Sequence, residues 1–120
     1  MALRMMYRDV DGGCVLSLDG RIVLGEETSA LREAVKSLLA EGKKNIILDL
    51  SNVSFIDSAG LGALVAAYSG AKSEGAALRL CNVGSRFKEL LQITKLYTVF
   101  EVSDSEADAV RAIEKKASAG

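Results

Sequence analysis

A chain of 120 residues, 49% hydrophobic and 26% charged, has the balance of one globular domain built around one core. Its formal net charge of -1 excludes the strong bulk field that recruits nucleic acid or an acidic membrane surface. The complete absence of His excludes His-dependent triads, imidazole bases and the commonest zinc ligand.

Other exclusions are finer. The chain has no Pro and hence no rigid linker, so a single domain over residues 1–115 with a flexible tail over 116–120 is expected. Apolar stretches are interrupted within a few residues, so no transmembrane helix is expected. Met1 is not followed by a basic and then an apolar region, so no secretory signal is read and a cytoplasmic protein is expected. Cys14 and Cys81 lie far apart and form no CxxC pair, which predicts two free thiols.

In chain order, Leu3 to Val10 alternate with period two and predict a half-buried strand. Asp11-Gly12-Gly13 is a turn signal. A second alternating strand from Cys14 completes a hairpin, and Gly20 to Gly25 lead out of it. A helix is predicted from Glu26 to Glu41, with Ala30, Leu31, Ala34, Val35, Leu38 and Leu39 on one face and Gly42 as its stop. The run Asn45 to Leu50 predicts a buried strand, followed by a polar turn at Ser51-Asn52. Val53 to Ile56 then lead to a second helix, Ala59 to Ser73, which buries Leu61, Leu64, Val65 and Tyr68 and ends at Gly75. Ala77 to Val83 predict a fourth strand. A short helix opens at Gly84-Ser85, capped by Ser85, with Phe87, Leu90 and Leu91 on its apolar side. Thr98 to Val102 predict the last strand. Ser103 with Glu106 makes a capping box for a final helix presenting Ala107, Val110 and Ile113.

The order β-β-α-β-α-β-α-β-α argues for an α/β domain with a mostly parallel sheet behind an N-terminal hairpin. Strands covered on both faces are apolar at every position. Here Ser17, Asp19, Asp49, Arg79 and Glu101 interrupt them with period two, which places the helices mainly on one face and leaves the other partly wet. A cross-strand Asp49–Arg79 pair on that wet face is expected.

The chemistry concentrates at Asp57-Ser58-Ala59-Gly60-Leu61-Gly62. Ser58 stands at the mouth of a helix, where a hydroxyl caps free N–H groups and a phosphate is favoured by the helix dipole. Gly60 and Gly62 keep the first turn bare for close approach, either of another protein or of a neighbouring strand. Gly60 to Val65 start like a dinucleotide fingerprint, but Val65 stands where its last Gly belongs and no acidic residue follows at ribose distance. Gly70 to Ser73 lack the Gly-Lys of a P-loop. Asp9, Asp11, Asp49 and Asp57 read as solvated carboxylates rather than a phospho-acceptor cluster. No metal site, cofactor or nucleic-acid surface is read.

From Asp49-Leu50-Ser51-Asn52-Val53-Ser54-Phe55-Ile56 through Asp57-Ser58-Ala59-Gly60-Leu61-Gly62, the chain resembles the STAS domain family, and within it the stand-alone anti-sigma factor antagonists. The resemblance extends over nearly the whole chain and implies a β-α domain with a mixed sheet. It further implies a regulatory binding protein, not an enzyme. In that picture the unmodified form binds an anti-sigma factor that is itself a serine kinase using ATP, which frees a sigma factor. The kinase phosphorylates the serine matching Ser58, the complex separates, and a serine phosphatase resets it. Asp57, Ser58, Ala59, Gly60, Leu61 and Gly62 would contact or frame the docking surface. A constitutive scaffold or transport-associated STAS module is the alternative. The family's acidic residue after the second-strand glycine is Val23 here, with Glu26 or Glu27 as candidates to stand in. Ala59 in place of a second Ser leaves Ser58 the one hydroxyl of the motif.

Overall fold

A computed structural model describes the backbone of residues 3–119 and side chains through Glu114. Its strands are β1 (Leu3–Val10), β2 (Gly13–Ile22), β3 (Asn45–Ile56), β4 (Ala77–Cys81) and β5 (Glu101–Ser103). Its helices are α1 (Glu26–Ala40), α2 (Ser58–Ser73), α3 (Ser85–Ile93) and α4 (Glu106–Ala119), with a 3-10 turn at Leu96–Thr98. The flexible tail expected over 116–120 concerns side chains outside this description.

The strands form one sheet in the order β1-β2-β3-β4-β5. β1 runs antiparallel to β2, joined by a tight turn in which Gly12 adopts φ +83°, a conformation that L side chains rarely adopt. The other neighbours are parallel, because each is reached through a helical crossover. The fold is therefore a mixed, mostly parallel α/β sheet.

The core follows from the apolar stripes. Leu31, Val35 and Leu38 of α1, Ala63, Leu64, Ala67 and Ala71 of α2, and Phe87 and Leu91 of α3 pack on one face, over Leu16, Leu48 and Leu80. The alanines of α2 recur at four-residue spacing and bring that helix close to the sheet. Tyr68 and Phe100 meet edge to face, with ring centroids 5.7 Å apart. Helices thus lie mainly on one face, as expected.

The opposite face departs from expectation. α4 covers it, placing Ala109 and Ile113 on Val15, Ile47 and Cys81. Arg79 is only 2% exposed, and its Nε lies 3.0 Å from Glu101 Oε2 on β5. The pair is ionic rather than a well-aligned hydrogen bond; Nη1 also reaches Asn45 Oδ1 at 3.4 Å. The expected Asp49–Arg79 pair does not form, because the register sets Arg79 opposite Ile47 and Asp49 opposite Cys81. Asp49 instead accepts from Ser51 N at 2.9 Å and from Asn82 Nδ2 at 3.1 Å. Both cysteines are free and buried. Burial pushes both thiols up, Cys81 to about 12, so neither is a thiolate near neutral pH.

Several boundaries move for local reasons. The expected turn at Ser51-Asn52 is absent; β3 continues to Ile56, and its register with β2 shifts between Ser17 and Asp19 and between Gly20 and Arg21. Each shift sets an extra β3 residue against β2, which bends and twists the strand without ending it. β4 stops at Cys81, where Asn82 turns to φ 56°. Leu96 to Thr98 coil into a 3-10 turn after Lys95 at φ 62°, so β5 starts only at Glu101. α3 is preceded by Gly84 with no side-chain cap, so Ser85 lies inside the helix. α4 is capped by Ser105, whose Oγ accepts from Asp108 N at 3.1 Å, not by Ser103. The buried stripe of α4 accordingly runs through Ala109 and Ile113, and Ala107 is exposed.

Ile113→Ala is expected to cost about 2–5 kcal/mol through the lost methyl groups and the cavity left behind. Ala107→Ser should change stability by no more than about 0.5 kcal/mol. Urea denaturation with unchanged m-values measures both.

Candidate functional site

β3 extends past the end of β4 and delivers Asp57 and Ser58 to the rim of the sheet. Asp57 has extended backbone, φ -92° and ψ -177°, and is the N-cap of α2. Its Oδ1 accepts from Gly60 N at 2.7 Å, and its Oδ2 accepts from Leu24 N at 3.1 Å. Its own N–H donates to Ile22 O at 3.2 Å. The cap expected from Ser58 is therefore carried by Asp57, whose carboxylate offers two acceptors where a hydroxyl has one oxygen. The Gly60 and Leu24 N–H groups hold the Asp57 carboxyl below its usual range, with a smaller contribution from the Arg21 charge.

Ser58 becomes the first residue of α2 and is exposed. Among the described residues its hydroxyl makes no hydrogen bond. No imidazole exists to activate it, and Asp57 is committed to two N–H groups. The arrangement suits an acceptor of a group delivered by another protein's active site rather than a nucleophile activated from within.

The two glycines separate into different roles. A Cβ at Gly60 would collide with the Ile22 carbonyl oxygen, whereas a Cβ at Gly62 would meet nothing within 4 Å. Gly60 is the neighbouring-strand case: α2 sits so close to β2 that no side chain fits. Gly62 is exposed, and no packing contact offsets its helix cost of roughly 0.8–1.0 kcal/mol relative to Ala. Of the six motif residues, Ser58 and Gly62 face outward, Asp57, Ala59 and Leu61 are half-buried, and Gly60 is buried and frames the surface from beneath.

The structure adds residues that the motif alone did not single out. Leu24 is 76% exposed beside the α2 start, and Asp57 fixes its backbone. A shallow cleft of about 400 Å³ between the starts of α1 and α2 includes Leu24, Ser29, Arg32, Ala59 and Gly62 in its walls. Arg21 stacks on the Phe55 ring, 5.6 Å from its centroid. The one signal for Leu24 was an apolar residue between a strand and a helix-opening Gly. Val23 is half-buried; Glu26 and Glu27 occupy the first turn of α1, and Glu27 folds back toward Gly25. Among the described residues no cluster of three or more His, Cys, Asp or Glu is placed to hold a metal ion. No helix of the described residues is long and apolar enough to cross a membrane.

The sheet order, the hairpin and a serine at the mouth of α2 define a recognisable class, and a family model described as the STAS domain matches residues 4–109. The chain belongs to the STAS domain family. It is 32% identical over 81 residues to an anti-sigma-B factor antagonist of Bacillus subtilis, covering 68% of this chain and 73% of that protein. It is 30% identical over 71 residues to an anti-sigma F factor antagonist of Paenibacillus polymyxa, covering 59% of this chain and 61% of the relative. The crystal structure of an anti-sigma factor antagonist from Mycobacterium paratuberculosis superposes with a TM-score of 0.80 at 26% identity, covering 93% of this chain and 94% of that one.

Gly60→Ala should destabilise by about 1–3 kcal/mol through overpacking against β2. Gly62→Ala should instead stabilise by roughly 0.8–1.0 kcal/mol, and equilibrium denaturation separates the two signs. Asp57 has a depressed folded pKa, so its contribution is complete above the ordinary value of 3.8 and fades as pH falls through the lower folded value. Asp57→Ala should therefore be less stable than wild type at neutral pH. The gap should narrow progressively in denaturation series carried down through pH 4 toward pH 2.

Proposed function

We propose that the protein is an anti-sigma factor antagonist whose partner binding is switched by phosphorylation of Ser58, and that it thereby regulates sigma-factor-dependent transcription in the cytoplasm. The observation that carries this reading is the exposed, unengaged Ser58 hydroxyl beside a cap supplied by Asp57. The likeness to anti-sigma factor antagonists supports it. The partner is an anti-sigma factor acting as a serine kinase. Ser58 Oγ attacks the γ-phosphorus of ATP in the partner's site, its proton passes to a base there, and ADP leaves. A serine phosphatase returns the hydroxyl by hydrolysis to inorganic phosphate.

Charge explains why the switch acts on binding rather than folding. The phosphate adds about -1.5 to -2 charges. The start of α2 favours them, and Asp57 opposes them. These opposing local terms leave the buried core untouched, while a partner surface shaped to the bare first turn and to Leu24 meets new bulk and charge. Val23, in place of the family's acidic residue, favours a second reading in which the module is a constitutive scaffold or transport-associated domain.

Intact-mass measurement after incubation with the cognate kinase and ATP distinguishes the two. One added phosphate, absent in Ser58→Ala, is expected; an unmodified mass would favour the scaffold. Ser58→Asp should keep wild-type thermal stability within about 1 kcal/mol and lose about 30-fold or more in affinity for the anti-sigma factor. Global unfolding of Ser58→Asp would contradict the switch.

A further inference from the structure

We propose that the free edge of β3 and the flank of α3 form a second docking groove, which takes an extended, acidic segment of a protein partner as an added strand. The proposal does not depend on Ser58 being phosphorylated. β3 pairs with β2 as far as Ile56, but its pairing with β4 ends at Asp49 opposite Cys81. Beyond that point β3 has ladder bonds on its β2 side alone among the described residues. Ser51 N is satisfied by Asp49, which leaves Asn52 to Ile56 as an unpaired edge of the kind that recruits another strand.

The sheet's outer edges are protected differently. β1 carries Arg4, Arg8 and Asp9, and β5 is 3 residues long. Short edges and charged side chains are the usual protection against strand addition. The β3 edge has neither: its residues Asn52, Val53, Ser54, Phe55 and Ile56 are uncharged. Against it lies a groove of about 130 Å³, walled by Val53, Phe55, Ile56, Phe87 and Leu90, with Arg86 in the lining. Phe55 is 50% exposed there.

Three features fix the occupant's chemistry. An unpaired strand edge calls for peptide N–H and C=O groups. Apolar walls call for apolar side chains at alternate positions. Arg86, in the groove lining, calls for acidic residues among them. The lining contains no carboxylate, and Arg86 has no ion-pair partner among the described residues. Arg86 also lies in the first turn of α3, which has no acidic residue and no side-chain cap. A cation there opposes the helix dipole, a local cost of the kind that functional surfaces retain.

The test titrates the full-length, isotope-labelled protein with an acetylated, amidated hexapeptide of alternating Val and Glu, followed by amide chemical shifts. Saturable shifts at Asn52 to Ile56 and along α3 are expected. N-methylation of alternate peptide amides, or Lys in place of Glu, should weaken binding about tenfold or more. Arg86→Glu, an exposed change that improves the helix start, should weaken the Glu peptide similarly and favour the Lys peptide. Absence of saturable shifts, shifts confined to β1 or β5, indifference to N-methylation, or unchanged binding by Arg86→Glu would each overturn the proposal.

Discussion

The two carboxylate oxygens of Asp57 hold two separate segments, Gly60 N at the start of α2 and Leu24 N in the loop after β2. The Asp57 N–H closes the arrangement on Ile22 O, the same carbonyl that leaves no room for a Cβ at Gly60. A loop and a helix mouth that are distant in sequence thus become one surface with fixed spacing. The negative charge sits where the free N–H groups of α2 favour it. Outside the motif, Leu24 depends on this tie most directly.

Because Asp57 carries the cap, Ser58 is released from a structural task. A serine that caps a helix contributes about 0.5–2 kcal/mol, a large share of the 5–15 kcal/mol that holds a typical domain together. Modifying such a residue would couple the chemistry to unfolding. A first-turn serine without a hydrogen bond can gain and lose a phosphate while the cap persists. Two neighbouring polar residues, one holding the helix and one facing outward, are the minimum needed for that separation.

The broad architecture was legible because it rests on periodicity. Alternation in Leu3 to Val10, the helical stripe of Leu31, Val35 and Leu38, and the glycine stops at Gly42 and Gly75 are local signals. Where two local readings competed, tertiary geometry decided. Asp57 and Ser58 are both good caps, and only the position of Leu24 N favours the carboxylate. Ser51-Asn52 reads as a turn until β2 supplies a partner that tolerates extra residues. Arg79 reads as wet because its sequence neighbours cannot reveal α4, whose cap at Ser105 rather than Ser103 also rotates Ala109 inward in place of Ala107. The motif from Asp57 to Gly62 was itself plain, but Leu24, Arg21 and Phe55 come beside it only through folding.

The irregularity of β3 connects these observations. Side chains alternate along a strand, so each added residue resets which face the following ones occupy. The first reset turns Val53 toward the core, and the second restores the parity of Ile46, so that Ile56 also faces inward. Phe55 keeps its outward direction under Arg21, and Asp57 lies within reach of Ile22. A regular strand of the same length would keep its parity from Ile46 onward and would present a different set of side chains to α2 and α3. The bulges therefore shape the platform on which Ser58 stands, and the end of β4 at Cys81 leaves the bare edge beside it. An edge so exposed, uncharged and apolar-walled is a liability in a monomer unless a partner covers it, and its position next to Ser58 lets one partner span both surfaces.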